Sequence, residues 1–255
     1  MALHYRTSGF VLKKNDIGEA DRVFIVFTLD FGKIKILGRA IRKIASKLKG
    51  GIDIISLSGI EFIQGKTYKT LTDSVILERF GNIKKDLVKL EISQKIIESL
   101  DNLAGNEQKD EKLWDLLGEV LNKINNWNLQ AQKQGPQIIY YYFLWNFFSI
   151  IGYEPELYKC ASCQKKLKEE ALYFSAEDGG IICSRCAKDK KRINVGIIKI
   201  LRIILKKDWQ LLSRLKIQPA SMEMLEEISE HYYSHLLSIH FSVENMAKIR
   251  NENKK

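Results

Sequence analysis

The apolar positions in the first part of the chain gather into short runs of the length of β-strands. Tyr5 to Lys13, Val23 to Thr28, Lys33 to Leu37, Gly59 to Gln64 and Thr67 to Leu77 are rich in β-branched and aromatic residues and are separated by turn residues. Five such strands suit an OB-fold barrel over residues 1–79. In Lys33-Ile34-Lys35-Ile36 the period of two puts both lysines on one face and both isoleucines on the other, which predicts a half-buried strand with a basic outer face. Gln64-Gly65-Lys66-Thr67 reads as a hairpin turn.

From about Asn82 the apolar positions recur every three or four residues. Ile83, Leu87 and Leu90 begin one helical face, and Leu113, Leu116, Leu117, Val120, Leu121 and Ile124 line another. The polar stretch Ala104 to Lys112 between them predicts a turn. Ile138 to Ile151 is apolar nearly throughout, but it is shorter than the ~18–20 residues of a membrane span and is interrupted by Asn146 and Ser149. It reads as a buried helix, opened by Gly135-Pro136 and closed before Gly152 and Pro155. Helical spacing resumes with Ile197, Ile200, Leu201, Ile204 and Leu205, and again after Pro219. The expected class is therefore α+β. A barrel (1–79) precedes a helical domain in two parts (80–158 and 189–255), and a small ribbon (159–188) is inserted between them.

That ribbon rests on the cysteines. All four fall in Cys160-x2-Cys163-x19-Cys183-x2-Cys186, the spacing of a two-knuckle zinc ribbon. Ala171 to Ser175 and Gly180 to Cys183 can pair across Asp178-Gly179-Gly180 and bring the knuckles together. Glycine is common after each knuckle because the chain there takes a positive φ, and here Gln164 and Ala187 stand in that place. Four thiolates leave a metal no open position, so the reading is one structural Zn²⁺ held by Cys160, Cys163, Cys183 and Cys186. Two disulfides or two isolated redox motifs are the alternatives. The first residues, Met1-Ala2-Leu3-His4-Tyr5-Arg6, lack the apolar run of a signal peptide, so a cytoplasmic setting is expected, in which disulfides are disfavoured.

The formal net charge is +10, from 41 basic and 31 acidic residues, and favours a polyanionic partner. The charge is unevenly placed. Between Phe31 and Gly50 stand Lys33, Lys35, Arg39, Arg42, Lys43, Lys47 and Lys49, with no acid among them. On the third strand and the loop after it they would form a stripe for phosphates, with Phe27, Phe31, Phe62 and Tyr68 as candidate stacking platforms for unpaired bases. Ile41, Ile44 and Leu48 leave open a basic amphipathic helix for a membrane or protein partner. A second cluster, Lys188, Lys190, Lys191 and Arg192, follows the ribbon and would either extend the footprint or screen the thiolates.

Catalytic motifs fail on inspection. His231 and His235 are four apart, but Tyr232 stands where a zinc protease needs glutamate. Gly65-Lys66-Thr67 lacks the earlier glycine of a phosphate loop, Ile60 standing in its place, and no His-x-Glu precedes the cysteine pairs as in a zinc deaminase. The chain reads as a nucleic-acid-binding protein and not an enzyme. The competing classes are a zinc-ribbon factor for RNA or the transcription machinery, and a nuclease.

The order of these parts resembles a known family. Gly9-Phe10-Val11-Leu12, Gly18-Glu19-Ala20-Asp21, Phe27-Thr28 with Phe31-Gly32-Lys33, and Gly38-Arg39-Ala40 with Arg42-Lys43 and Ser46 are followed by a helical region, Gly152-Tyr153-x-Pro155 and the cysteine ribbon with Gly179-Gly180. Over nearly its whole length the chain resembles the bacterial recombination mediator family RecO. It departs from the pattern at Ile52-Asp53-Ile54, where a proline is usual, and at Leu144 and Asn146, where charged residues are frequent. The resemblance implies an N-terminal OB-fold, a helical domain with an inserted zinc ribbon, and binding of single- and double-stranded DNA. It further implies annealing of complementary strands, and partnership with RecR and the single-strand binding protein SSB in loading RecA.

Overall fold

A computed structural model describes residues 3–65, 68–128, 135–168, 171–188 and 190–252, with side chains through residue 242. Five strands, β1 (His4–Ile17), β2 (Asp21–Thr28), β3 (Gly32–Gly38), β4 (Ser56–Gln64) and β5 (Lys69–Arg79), close into a barrel in the order β1-β2-β3-β5-β4. This is the predicted α+β class with its five-stranded OB barrel. Closure depends on the length of β1. Its first half pairs with β4 from His4 to Phe10 and its second half with β2 from Gly9 to Ile17, with a bulge between Val11 and Lys13 that lets one strand turn from one neighbour to the other. A short parallel contact of Ile36 and Leu37 with Lys69 and Thr70 joins β3 to β5 and completes the ring. Lys66 and Thr67 of the expected turn lie outside the described residues.

Alternation fills the barrel. Val11, Phe24, Val26, Ile34, Ile36, Ile60, Phe62 and Leu71 point inward, and Ile41 and Ile52 from the connection after β3 plug its end. The opposite face of β1 and β2 is covered too. Phe10 and Phe27 lie with ring centres 4.6 and 6.4 Å from Trp114. Trp114 belongs to α3 (Glu111–Asn125), which Asp110 caps by accepting the N–H of Leu113. Phe80 and Ile83, the latter in the short α1 (Gly81–Lys84), are fully buried nearby.

The helical phase expected from Ile83, Leu87 and Leu90 is corrected here. Asp86 accepts the N–H groups of Val88 and Lys89 and starts a new helix, α2 (Leu87–Leu103). The count therefore restarts: Leu87 is 80% exposed, and the buried face is Ile92, Ile96, Ile97, Leu100 and Leu103. The polar stretch after α2 does more than turn. Asn106 bridges Lys33, the N–H of Glu107 donates to the Lys33 carbonyl at 3.0 Å, and Gln108 crosses directly over Gly32. Gly32 sits at φ +62°, and a Cβ there would stand 2.1 Å from the Gln108 carbonyl oxygen, so the close approach requires glycine. The barrel and α1 to α3 thus form one compact unit, residues 1–126.

The second unit, residues 127–255, is built on α4 (Gln137–Ile150). Ten of its residues, Ile138, Ile139 and Tyr141 through Phe148, are buried, as its all-round apolar sequence requires. Its two polar interruptions have different fates. Asn146 is buried and donates through Nδ2 to the carbonyls of Tyr142 (2.8 Å) and Ile204 (3.1 Å), tying α4 to α5 (Val195–Leu205). Ser149 bonds the exposed Glu154. Trp145 donates to Ser229 at 2.9 Å and stacks on Tyr232 at 5.4 Å, both on the long α7 (Pro219–Glu252). The short α6 (Trp209–Arg214) sets Trp209 edge-on to Tyr142. No helix among the described residues is long and apolar enough to cross a membrane.

Candidate metal centre and nucleic-acid interface

The predicted ribbon hairpin forms. Antiparallel β6 (Leu172–Ser175) and β7 (Gly180–Cys183) pair in register, Leu172 opposite Cys183, and a third strand, β8 (Arg192–Ile193), adds to β6. The turn is held by Ser175, whose hydroxyl bonds Asp178 at 2.6 Å and accepts the Asp178 N–H. Gly180 runs so close to Glu156 that a Cβ would meet the Glu156 carbonyl oxygen at 2.4 Å, and the Ile181 N–H donates to that carbonyl at 2.9 Å. These bonds hold β7 against the first knuckle, and the N–H of Ala161 donates to the Ile181 carbonyl at 2.7 Å. On the other side, Phe174 packs edge-on to Trp145 and Tyr232 at 5.9 and 5.6 Å. The ribbon is therefore anchored by an aromatic cluster of its own unit.

The four sulfurs of Cys160, Cys163, Cys183 and Cys186 lie within 4.8 Å of one another, and none is in a disulfide. They form the one group of three or more such ligands among the described residues. Cys160 is the buried one of the four, and its sulfur accepts the N–H groups of Cys163 (3.5 Å) and Cys183 (3.4 Å). Burial pushes the Cys160 thiol up, but these N–H donors outweigh it and bring it down to about 6. Cys183 is also lowered, its burial overcome by the N–H of Cys186. Cys186, hydrogen-bonded to the Cys183 and Cys163 sulfurs, is pushed up to about 12. Crowded thiols that cannot all ionise without a cation, with amide N–H groups already aimed at one sulfur, are the chemistry of a metal site. The left-handed backbone expected after each knuckle is found at Gln164 (φ 59°) but not at Ala187.

The cationic segment divides. Lys35, Arg39, Lys43, Lys47 and Lys49 are exposed and take no ion pair among the described residues. Lys33 corrects the expected basic outer face. It does share a face with Lys35, but the end of α2 covers it; it is 7% exposed, its ammonium bonds the Asp101 carbonyl and it pairs with the Asp101 carboxylate at 3.4 Å. Burial raises the Asp101 pKa, but Lys13 at 2.8 Å and Lys33 bring it below its ordinary value. Lys33 therefore joins α2 to the barrel and is not a surface cation. Arg42 stands between the two groups, paired with Asp16 at 3.4 Å and donating to the Gly18 carbonyl at 3.0 Å.

The amphipathic-helix alternative is also corrected. Residues 39–46 form turns and Lys47–Gly50 a 3-10 turn, Ile41 is buried in the barrel, Leu48 packs against it, and Ile44 alone is exposed. Among the proposed stacking aromatics, Phe27 and Phe62 are 1% exposed and belong to the core; Phe31 is half-buried against Tyr5 and Phe62, and Tyr68 reaches solvent. In the second cluster Lys190 pairs with Glu177 at 2.7 Å and Lys191 with Glu227, leaving Lys188 and Arg192 at the surface. The Lys190 ammonium holds the Glu177 carboxyl down at about 2. Arg22, absent from the predicted segment, shares a small basin at the barrel mouth with Arg42 and Lys49. Only the pairing of Arg22 with Gly38 across β2 and β3 brings it there, and that register is not written in the local sequence. His231 is exposed and His235 half-buried, consistent with solvated histidines.

The fold and site define an OB-barrel protein with a second, helical unit that carries a four-cysteine cluster able to hold a metal ion. Residues 1–80 match the family model "Recombination protein O N terminal", and residues 84–242 match "Recombination protein O C terminal". The family boundary thus falls near residue 80, whereas the compact units divide at Asn126, because α2 and α3 pack on the barrel. The chain is 30% identical to the DNA repair protein RecO of Dehalococcoides mccartyi, covering 87% of this chain and 86% of the relative. It is 27% identical to the protein of that name from Caldanaerobacter subterraneus, over 95% and 96% of the two chains. The chain belongs to the RecO family of DNA repair proteins.

Proposed function

We propose that the protein is a recombination mediator. It binds single- and double-stranded DNA through the barrel-side cations, anneals complementary strands without nucleotide hydrolysis, and acts with RecR on SSB-coated gaps to load RecA. It is not an enzyme in this reading and works in the cytoplasm, at the nucleoid when DNA-bound. The observation that carries the reading is the set of five exposed cations, Lys35, Arg39, Lys43, Lys47 and Lys49, without a carboxylate partner among the described residues, on an OB barrel of this family. Such a set neutralises phosphates of either strand and so lowers the repulsion that slows pairing.

Zinc is the metal proposed for the cysteines. Zinc–sulfur bonds of about 2.3 Å in a tetrahedron set sulfurs about 3.8 Å apart, and Cys163 and Cys183 stand 3.9 Å apart. Four soft thiolates favour zinc over hard cations and close its coordination, so the ion holds the ribbon together and offers no site for a reacting water. Lys188 and Arg192 are the remaining candidates for a second DNA contact, with Lys190 and Lys191 secondary because each is already paired.

The test is the affinity for a labelled single strand, measured against salt concentration. With ~5 phosphates neutralised, log affinity should fall against log salt with a slope of about −3 to −4, whatever the base sequence. A flat profile, or strict dependence on one sequence, would remove the proposal.

A further inference from the structure

The basin at the mouth of the barrel contains a feature that a plain cationic surface lacks. Its rim carries Arg22, Arg42 and Lys49, its floor is the buried Phe24, Ile41 and Ile52, and its volume is about 130 Å³. One carboxylate reaches two of these cations. Asp16, at the end of β1, accepts from Arg22 Nε at 2.5 Å and lies 3.4 Å from Arg42 Nε. The loop that presents Arg42 is held in place independently of Asp16. The Arg42 N–H donates to the Ala20 carbonyl at 3.0 Å, the Ala40 N–H to Asp21 at 2.7 Å, and the Arg42 guanidinium to the Gly18 carbonyl at 3.0 Å. Arg42 would therefore stay in position if Asp16 let go.

We infer that this basin holds a backbone phosphodiester of a bound strand between Arg22, Arg42 and Lys49, and that Asp16 occupies the arginines in the free protein and competes with that phosphate. The inference rests on the nucleic-acid reading above and adds Arg22 and Asp16 to it. A phosphate offers several oxygens to two guanidinium groups and an ammonium, whereas the single carboxylate reaches only one edge of each arginine. Asp16 is itself exposed, so its pairing is screened and weak enough to be exchanged. The same loop carries Arg39, Lys43 and Lys47 onward from the basin, so a strand seated there meets further cations, which a lone carboxylate ligand would not need. An internal anion of this kind limits binding of isolated anions and is displaced by a polyanion.

The experiment compares wild-type protein with Asp16→Asn, Arg22→Gln and the control Asp73→Asn, which removes an exposed carboxylate of β5 outside the basin. Affinity for a labelled oligothymidylate is measured across a salt series, with thermal melting to verify folding. Asp16→Asn is expected to bind about 2- to 5-fold tighter at low salt, the strength of an exposed ion pair, with a slope steeper by about 0.7. Arg22→Gln should bind more weakly, with a slope shallower by about the same amount, and Asp73→Asn should differ little from wild type. Equal gains from Asp16→Asn and Asp73→Asn would reduce the effect to net charge and overturn the inference. So would unchanged binding in both basin variants while the wild type binds normally, an outcome that leaves the wider reading intact. A wild-type protein that binds no strand at all would overturn both.

Discussion

Cys160→Ser is expected to empty the metal site and unfold the ribbon while leaving the barrel folded. Purified wild-type protein should carry about one zinc per chain and the variant close to none, since binding at a closed thiolate site amounts to about 10–16 kcal/mol of folding energy. Cys160 is the most sensitive of the four because its buried sulfur also accepts the N–H groups of Cys163 and Cys183, so its loss unties both knuckles. Once the hairpin loosens, Phe174 leaves the cluster with Trp145 and Tyr232, and each such aromatic contact is worth about 0.5–1.5 kcal/mol. Tryptophan fluorescence should therefore report the change, with an earlier melting transition confined to the second unit. Lys165→Ala, an exposed change in the same knuckle, should keep the metal. A metal-free wild type whose ribbon is as well protected from proteolysis as the barrel would contradict the metal assignment.

Reversal of charge at Arg39, Arg42 and Lys43 should weaken binding to single strands by orders of magnitude and flatten its salt dependence. Three lost phosphate contacts alone remove about 2 from the slope, and three added carboxylates repel the backbone further. Arg42 carries part of the expected effect through the basin with Arg22, so the three substitutions need not contribute equally. The equivalent change at Lys33 would test something else. Lys33→Glu would set a carboxylate against Asp101 in a nearly closed site and should lower stability before it alters any strand contact. Unchanged affinity and slope in the triple variant would move the binding face, with Lys188 and Arg192 as its next candidates.

The barrel and the cysteine cluster were legible in the sequence because each has a local signature. The β-branched and aromatic runs of β2, β3 and β4 form strands almost as written, with buried and part-exposed positions alternating along β4, and two CxxC pairs with a glycine turn between them leave few ways to fold. What was not legible is long-range. Period two correctly put Lys33 and Lys35 on one face, but no local pattern says that the stretch after α2 lies across that face at Gly32 and Lys33. The same holds for Phe27, whose covering by Trp114 requires α3 to return to the barrel. The phase error at Leu87 has a shorter range: Asp86 is a helix cap, and reading it as one restarts the count. Arg22 and Asp16 come together across a hairpin whose register depends on the turn at Gly18, a residue at φ +54°.

The central claim, a mediator that pairs strands through charge alone, is tested most directly by a fluorescent strand-pairing assay on complementary strands coated with cognate SSB, in the absence of ATP. The protein should accelerate pairing well above the spontaneous rate, and Lys47→Glu with Lys49→Glu should remove most of that gain. No acceleration, or acceleration only with ATP, would contradict the account and favour a ribbon factor for RNA or the transcription machinery.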